Sequence, residues 1–203
     1  MSRSKQQYTD SQLRKAIENH EIGGGAPYRN KITKSQADVV VTTPAAFRQA
    51  IKRPDTIVYI DSDVDWDLTD EPPFTEFAKG VTVASGRGQE EGNEPNRGHG
   101  AILRWKSYQG KNERRGFFRI SKLNVRITGL RMKGPQLKRF KPRDDAERNR
   151  HLARGIAITG NSCEVDNCEL YGWTEAAITL GAKATHHRAV STTTIFTTVK
   201  WMD

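Results

Sequence analysis

The chain has 203 residues, 35% of them hydrophobic, and 33 basic against 24 acidic residues give it a formal charge of +9. That length holds one ordinary domain with a real core, and two only if both are small. No run of ~20 apolar residues is present to span a bilayer, and the opening MSRSKQQYTDSQ lacks the apolar core of a secretory signal, so the expected location is the cytoplasm.

Residues 1–36 form a polar extension. Asp10 or Ser11 caps a short helix running to His20, with Leu13, Ala16 and Ile17 on one face, and Gly23-Gly24-Gly25 ends it. From Val39 the texture changes. VVVTT is a strand, Thr43 caps and Pro44 opens a helix over Thr43–Lys52, and Phe47, Ala50 and Ile51 share its apolar face. This helix is expected to cap a strand stack, because an uncovered first rung exposes unpaired backbone groups and apolar interior. TIVYIDSDVDWDL at 56–68 reads as extended; KGVTVASGRG at 79–88 and AILRW at 101–105 bring further strands. Strands arriving this closely leave no room for helical crossovers and exclude a doubly wound α/β sheet, with an antiparallel sandwich as the remaining alternative to a coil.

Residues 117–135 then repeat at 155–173. Phe118 falls on Ile156, Ile120 on Ile158, Val125 on Cys163, Ile127 on Val165, Leu130 on Cys168 and Met132 on Leu170. Gly129 falls on Asn167 and Gly134 on Gly172, residue types that tolerate tight turns. Short period-two strands broken by bends predict a coil of strands. On the outward phase Arg126 and Arg131 meet Glu164 and Glu169, so stacked rungs place opposite charges side by side. Cys163 and Cys168 replace Val125 and Leu130, which makes them small core-facing thiols rather than a disulfide or a metal site.

Between the two units lies an insertion, 136–154, with a short helix expected over DDAERNRHLAR. From Arg131 to Arg154 there are nine Lys or Arg against three acids, so most of the excess charge is local. Such a segment suits a polyanion, whether nucleic acid, anionic lipid or acidic polysaccharide; the plainer reading is a solvated insertion. His99, His151, His186 and His187 lack metal-site spacing, and ASGRGQEEG lacks the Lys-Ser/Thr of a phosphate loop.

VRITGLRMKGP, GIAITG, CEVDNCELYGW and GVTVASGRG together resemble the right-handed parallel β-helix proteins of the pectate-lyase-like superfamily, from about Val39 to Gly181. The resemblance implies an all-β fold, a right-handed single-stranded parallel β-helix with an amino-terminal capping helix, occupying 37–183. It implies a carbohydrate-related role by analogy only, since that superfamily holds lyases, hydrolases, epimerases, tailspikes and members without known activity. An acidic polysaccharide is the expected partner, with lyase or hydrolase activity in doubt; a tailspike-like structural module and nucleic-acid binding through the insertion are the alternatives.

The tail, 184–203, breaks the pattern. Every Thr codon begins AC, so the frame one base back from each codon turns the Thr-rich STTTIFTTV into a His- and Asn-rich string of the kind a further rung would carry. The last ~20 residues are therefore expected to be an out-of-frame end on a truncated β-helix.

Asp61, Asp63, Asp65 and Asp67 alternate with Ser62, Val64 and Trp66, so on one continuous strand their carboxylates line one face. Such oxygen ligands suit Ca²⁺, which in β-helix lyases bridges enzyme and uronate; the plainer reading is outward acids neutralised by Lys or Arg on the adjoining rung. The resemblance makes an arginine the expected base, with Arg87, Arg126 and Arg131 as candidates. Glu164, Asp166, Glu169 and Tyr171 are the expected sugar contacts. Trp66 and Trp105 fall in the apolar phase and are expected in the core, whereas Tyr108 and Trp173 are free to stack on a sugar ring.

Overall fold

The computed structural model describes residues 30–89, 99–108, 116–136 and 143–181, together with the backbone pairing of 194–195. The expected amino-terminal helix and, apart from that pairing, the tail lie outside the described residues.

From Thr82 to Leu180 strands arrive in threes, and each triplet makes one turn of a right-handed coil. β1 (Val39–Val41), β2 (Ile57–Ile60), β4 (Thr82–Ala84), β7 (Arg126–Thr128) and β10 (Glu164–Asp166) stack as sheet A. β3 (Asp65–Asp67), β5 (Ile102–Arg104), β8 (Arg131–Lys133), β11 (Cys168–Tyr171) and β13 (Thr194–Ile195) form sheet B. β6 (Phe118–Ile120), β9 (Arg154–Ile158) and β12 (Ala176–Leu180) form sheet C, and Phe74 joins it through a parallel bridge to Phe118. Every pairing is parallel, which a sandwich of hairpins cannot produce.

The register matches the repeat in the sequence. Ile127 pairs with Val165, Met132 with Leu170, Phe118 with Ile156 and Ile120 with Ile158. Because alternate side chains point inward, identical positions stack into files: Val58, Val83, Ile127 and Val165 in sheet A, and Trp66, Leu103, Met132 and Leu170 in sheet B. All eight are buried. The corners repeat as well. Asn124 and Ser162 enter sheet A with φ of 58° and 55°, while Gly129 and Asn167 turn from sheet A to sheet B with φ of 72° and 45°. Cys163 and Cys168 are buried free thiols, and enclosure pushes the Cys168 thiol up to about 12.

α1 (Pro44–Ala50) closes the amino-terminal end. Thr43 caps it by accepting a hydrogen bond from the Ala46 amide at 3.2 Å, and Pro44 supplies a helical φ where no amide partner is needed. Its Phe47 enters an aromatic cluster with Phe74 at 5.0 Å, Trp66 at 5.9 Å and Phe118 at 5.9 Å between ring centroids. In the insertion, α2 (Asp145–Arg150) starts under the Asp144 side chain, which accepts from the Glu147 amide. It ends sooner than expected, because Leu152 and Ala153 turn into the core and Arg154 begins β9.

The segment 56–68 differs from expectation. Instead of one strand it makes β2, a turn and β3; the Val64 amide donates to the Asp61 carbonyl at 3.1 Å, folding the corner between sheets A and B. Only Asp65 and Asp67 of the four aspartates share a strand face.

Candidate functional site

The coil distributes the candidate residues over two neighbouring faces. The outer face of sheet B carries two files. One runs Asp65, Ile102, Arg131, Glu169; the other runs Asp67, Arg104, Lys133, Tyr171. Rungs stack ~4.8 Å apart, so each file is a column of side chains at that spacing.

The acidic end of this face is neutralised within the fold. Arg104 grips Asp65 with two nitrogens, and Lys106 pairs with Asp67, whose carboxyl is held down to about 2 by hydrogen bonds from Lys106 and Thr69. Asp61, on the corner, takes Lys34 at 2.7 Å, and Asp63 is exposed. Asp61, Asp65 and Asp67 are thus split among separate cationic partners. Among the described residues no group of three or more His, Cys, Asp or Glu side chains gathers as a metal ion requires.

The middle of the face is different. Arg131 donates from Nε and Nη2 to the Gly100 carbonyl at 3.1 and 2.8 Å. Partial burial lowers its pKa from the usual guanidinium value, with the nearby Glu169 charge opposing that shift. Lys133 lies with Nζ 5.9 Å from the centroid of the Tyr171 ring, within cation–π range. Neither Arg131 nor Lys133 is in an ion pair among the described residues. Burial and the Glu169 charge push the Tyr171 phenol up, so it stays a neutral hydrogen-bond donor at ordinary pH. The result is a half-exposed surface with two cations and an aromatic ring on adjacent rungs.

Sheet A holds the other candidates, and it is covered. Its outward file Tyr59, Ala84, Thr128, Asp166 is buried, with Asp166 only 1% exposed. Arg126 Nε reaches Asp166 at 2.7 Å and Glu164 at 3.8 Å, the pairing expected from the repeat. Arg87 is fixed at the corner, donating to Asn167 Oδ1 at 3.0 Å while Asn167 donates back to the Arg87 carbonyl at 2.8 Å. Arg87 and Arg126 are therefore occupied in holding rungs together; Arg131 also bonds across rungs, through the Gly100 carbonyl, but stands on the outer face of sheet B outside any ion pair among the described residues.

Of the aromatic residues, Trp66 and Trp105 are in the core as expected. Trp173 packs on Trp105 and Phe117 at 5.8 and 5.9 Å, and Tyr108 meets His151 edge-on at 4.8 Å. In the insertion, Arg143, Arg148 and Arg154 pair with Glu147, Asp145 and Glu175.

Arg104, Lys106 and Lys133 belong to the sheet B face but were not among the expected contacts. The signal was present: AILRWK aligned on LRMKG sets Leu103 against Met132 and Arg104 against Lys133. No protein-family model matches the chain, and comparison with curated proteins and with solved structures finds no match. Among the described residues no helix is long and apolar enough to cross a membrane.

Proposed function

We propose that this β-helix domain binds an acidic polysaccharide along the outer face of sheet B. The observation that carries the reading is the Arg131–Lys133–Tyr171 surface: two cations outside any ion pair among the described residues and a half-exposed aromatic ring, held on stacked strands. A uronate needs those two elements, a cation for its carboxylate and a flat apolar face for its ring. Glu169 lies beside Arg131 and suits sugar hydroxyls as an acceptor. The resemblance to pectate-lyase-like proteins supports the same substrate class. Binding is the activity proposed; Arg131 is the arginine that would face a bound uronate.

Titration calorimetry with polygalacturonate and with a neutral glucan tests the proposal. The acidic polymer is expected to bind with a marked salt dependence and the neutral one not to bind, and Lys133→Ala with Tyr171→Ala is expected to weaken binding by about tenfold or more. Equal binding of both polymers, or no change in the double variant, refutes it.

A further inference from the structure

The Arg131 guanidinium is held by a peptide unit that is itself held from behind. The chain leaves sheet A at Ser85 and enters sheet B at Ala101, so these two residues form the neck of the connection between β4 and β5. Across that neck the Ala101 amide donates to Ser85 Oγ at 2.8 Å, and both residues are buried. The same peptide unit carries the Gly100 carbonyl, which accepts from Arg131 Nε and Nη2 at 3.1 and 2.8 Å. A trans peptide is planar, with its N–H and C=O pointing in opposite directions. Fixing one end therefore aims the other.

The surroundings seat this peptide closely. Gly100 has φ of 70°, and a Cβ there would stand 2.3 Å from the Gly129 carbonyl of the next rung and 2.8 Å from the Arg87 nitrogen. The Arg131 amide donates to the Ala101 carbonyl at 3.0 Å, so the backbone and side chain of Arg131 grip consecutive carbonyls. Ser85 is anchored in its turn, its amide donating to the Thr128 carbonyl at 3.1 Å. Removing the Ser85 hydroxyl takes away the acceptor of a buried amide, and a buried donor without an acceptor is costly. Turning the peptide plane to find another acceptor swings the Gly100 carbonyl away from Arg131.

We propose that Ser85 is a positioning residue for the sheet B site: through the Gly100–Ala101 peptide it holds the Arg131 guanidinium in the orientation that meets a uronate carboxylate. This role rests on the reading of sheet B as the sugar-binding face. The bonds from Nε and Nη2 to Gly100 leave the other N–H groups of the guanidinium for the carboxylate. A long side chain that is ordered only on binding loses its rotamer freedom at that moment, and an arginine fixed beforehand has already lost it. Ser85 acts without touching the sugar, since it is 2% exposed at the corner where the chain leaves sheet A.

Nitrogen-15 NMR of the arginine side chains, with titration of a short oligogalacturonate, tests this on the full chain. In Ser85→Ala the affinity is expected to fall about 3–10-fold, the worth of one hydrogen bond. The Arg131 Nε–H signal is expected to shift and exchange faster in that variant, while the Arg104 Nε–H, bonded to Asp65 on the same face, keeps its position. A chain merely loosened by the substitution would move both signals together, and that result overturns the positioning role. So does an Arg131 signal or an affinity that the substitution leaves unchanged. The parent chain decides the matter even if Ser85→Ala does not fold: the Ala101 amide and the Arg131 Nε–H are expected to be protected from exchange together, and an Arg131 Nε–H that exchanges like an exposed arginine beside a protected Ala101 amide overturns the proposal. No binding by the parent chain sinks the sheet B reading and this role with it, whereas binding that Ser85→Ala does not weaken removes the role alone.

Discussion

At the scale of single residues, the corners decide whether the coil can wind. Gly129 turns the chain from sheet A to sheet B with φ of 72°, and a Cβ there would lie 2.1 Å from the Ser85 carbonyl of the rung below. Asn167 takes the same corner one rung later, holding its left-handed backbone with side-chain bonds to Arg87. Gly129→Ala is therefore expected to destabilise the fold by at least ~1–3 kcal/mol from backbone strain alone, with the carbonyl clash adding to it. A shift of the urea midpoint measures this, and an unchanged midpoint would mean that the rungs are not in contact at that corner. The corner was legible in the sequence because Gly129 and Asn167 occupy one position of the repeat. The Asn124 and Ser162 corner was less so, since Asn124 favours positive φ but Ser162, at the matching position of the repeat, does not.

At the scale of elements, legibility followed regularity. β7, β8, β10 and β11 were legible from the repeat because nothing interrupts the two matched units, and the helix over Thr43–Lys52 from its cap and Pro44. The aspartate run was misread because period-two alternation continues through a corner: Asp61 and Asp65 have the same phase, yet a turn at 61–64 lies between them. The burial of Asp166 was invisible for a different reason. Its partner Arg126 is met by the Asn30 carbonyl, from a stretch whose polar composition marks it as a solvated extension. α1 is the element whose role can be tested alone. Phe47 is fully buried and touches four other aromatic rings, so Phe47→Ala is expected to cost ~3–5 kcal/mol and to expose the first rung. A loss under ~1 kcal/mol in chemical denaturation would mean that the helix decorates the coil rather than closes it.

For the molecule as a whole, parallel stacking converts short, individually weak strands into continuous columns. A three-residue strand cannot persist alone; as one step in a file of four or five it contributes to a core that runs the length of the coil. The same stacking creates the outer surfaces, because outward residues separated by dozens of positions in sequence are brought together on successive rungs. Arg104, Lys133 and Tyr171 are such a set. They explain why the site was only partly legible: Arg131, Lys133, Glu169 and Tyr171 all lie within the repeat, although Lys133 was passed over there, whereas Arg104 required the register of a rung whose flanking loops differ in length.

The central claim is that an acidic sugar chain lies on sheet B, and amide shift mapping with a short oligogalacturonate tests it most directly. Perturbations centred on Arg104, Arg131, Lys133, Glu169 and Tyr171, with sheets A and C silent, are the expected result. Perturbations confined to sheet A, sheet C or the insertion would contradict it.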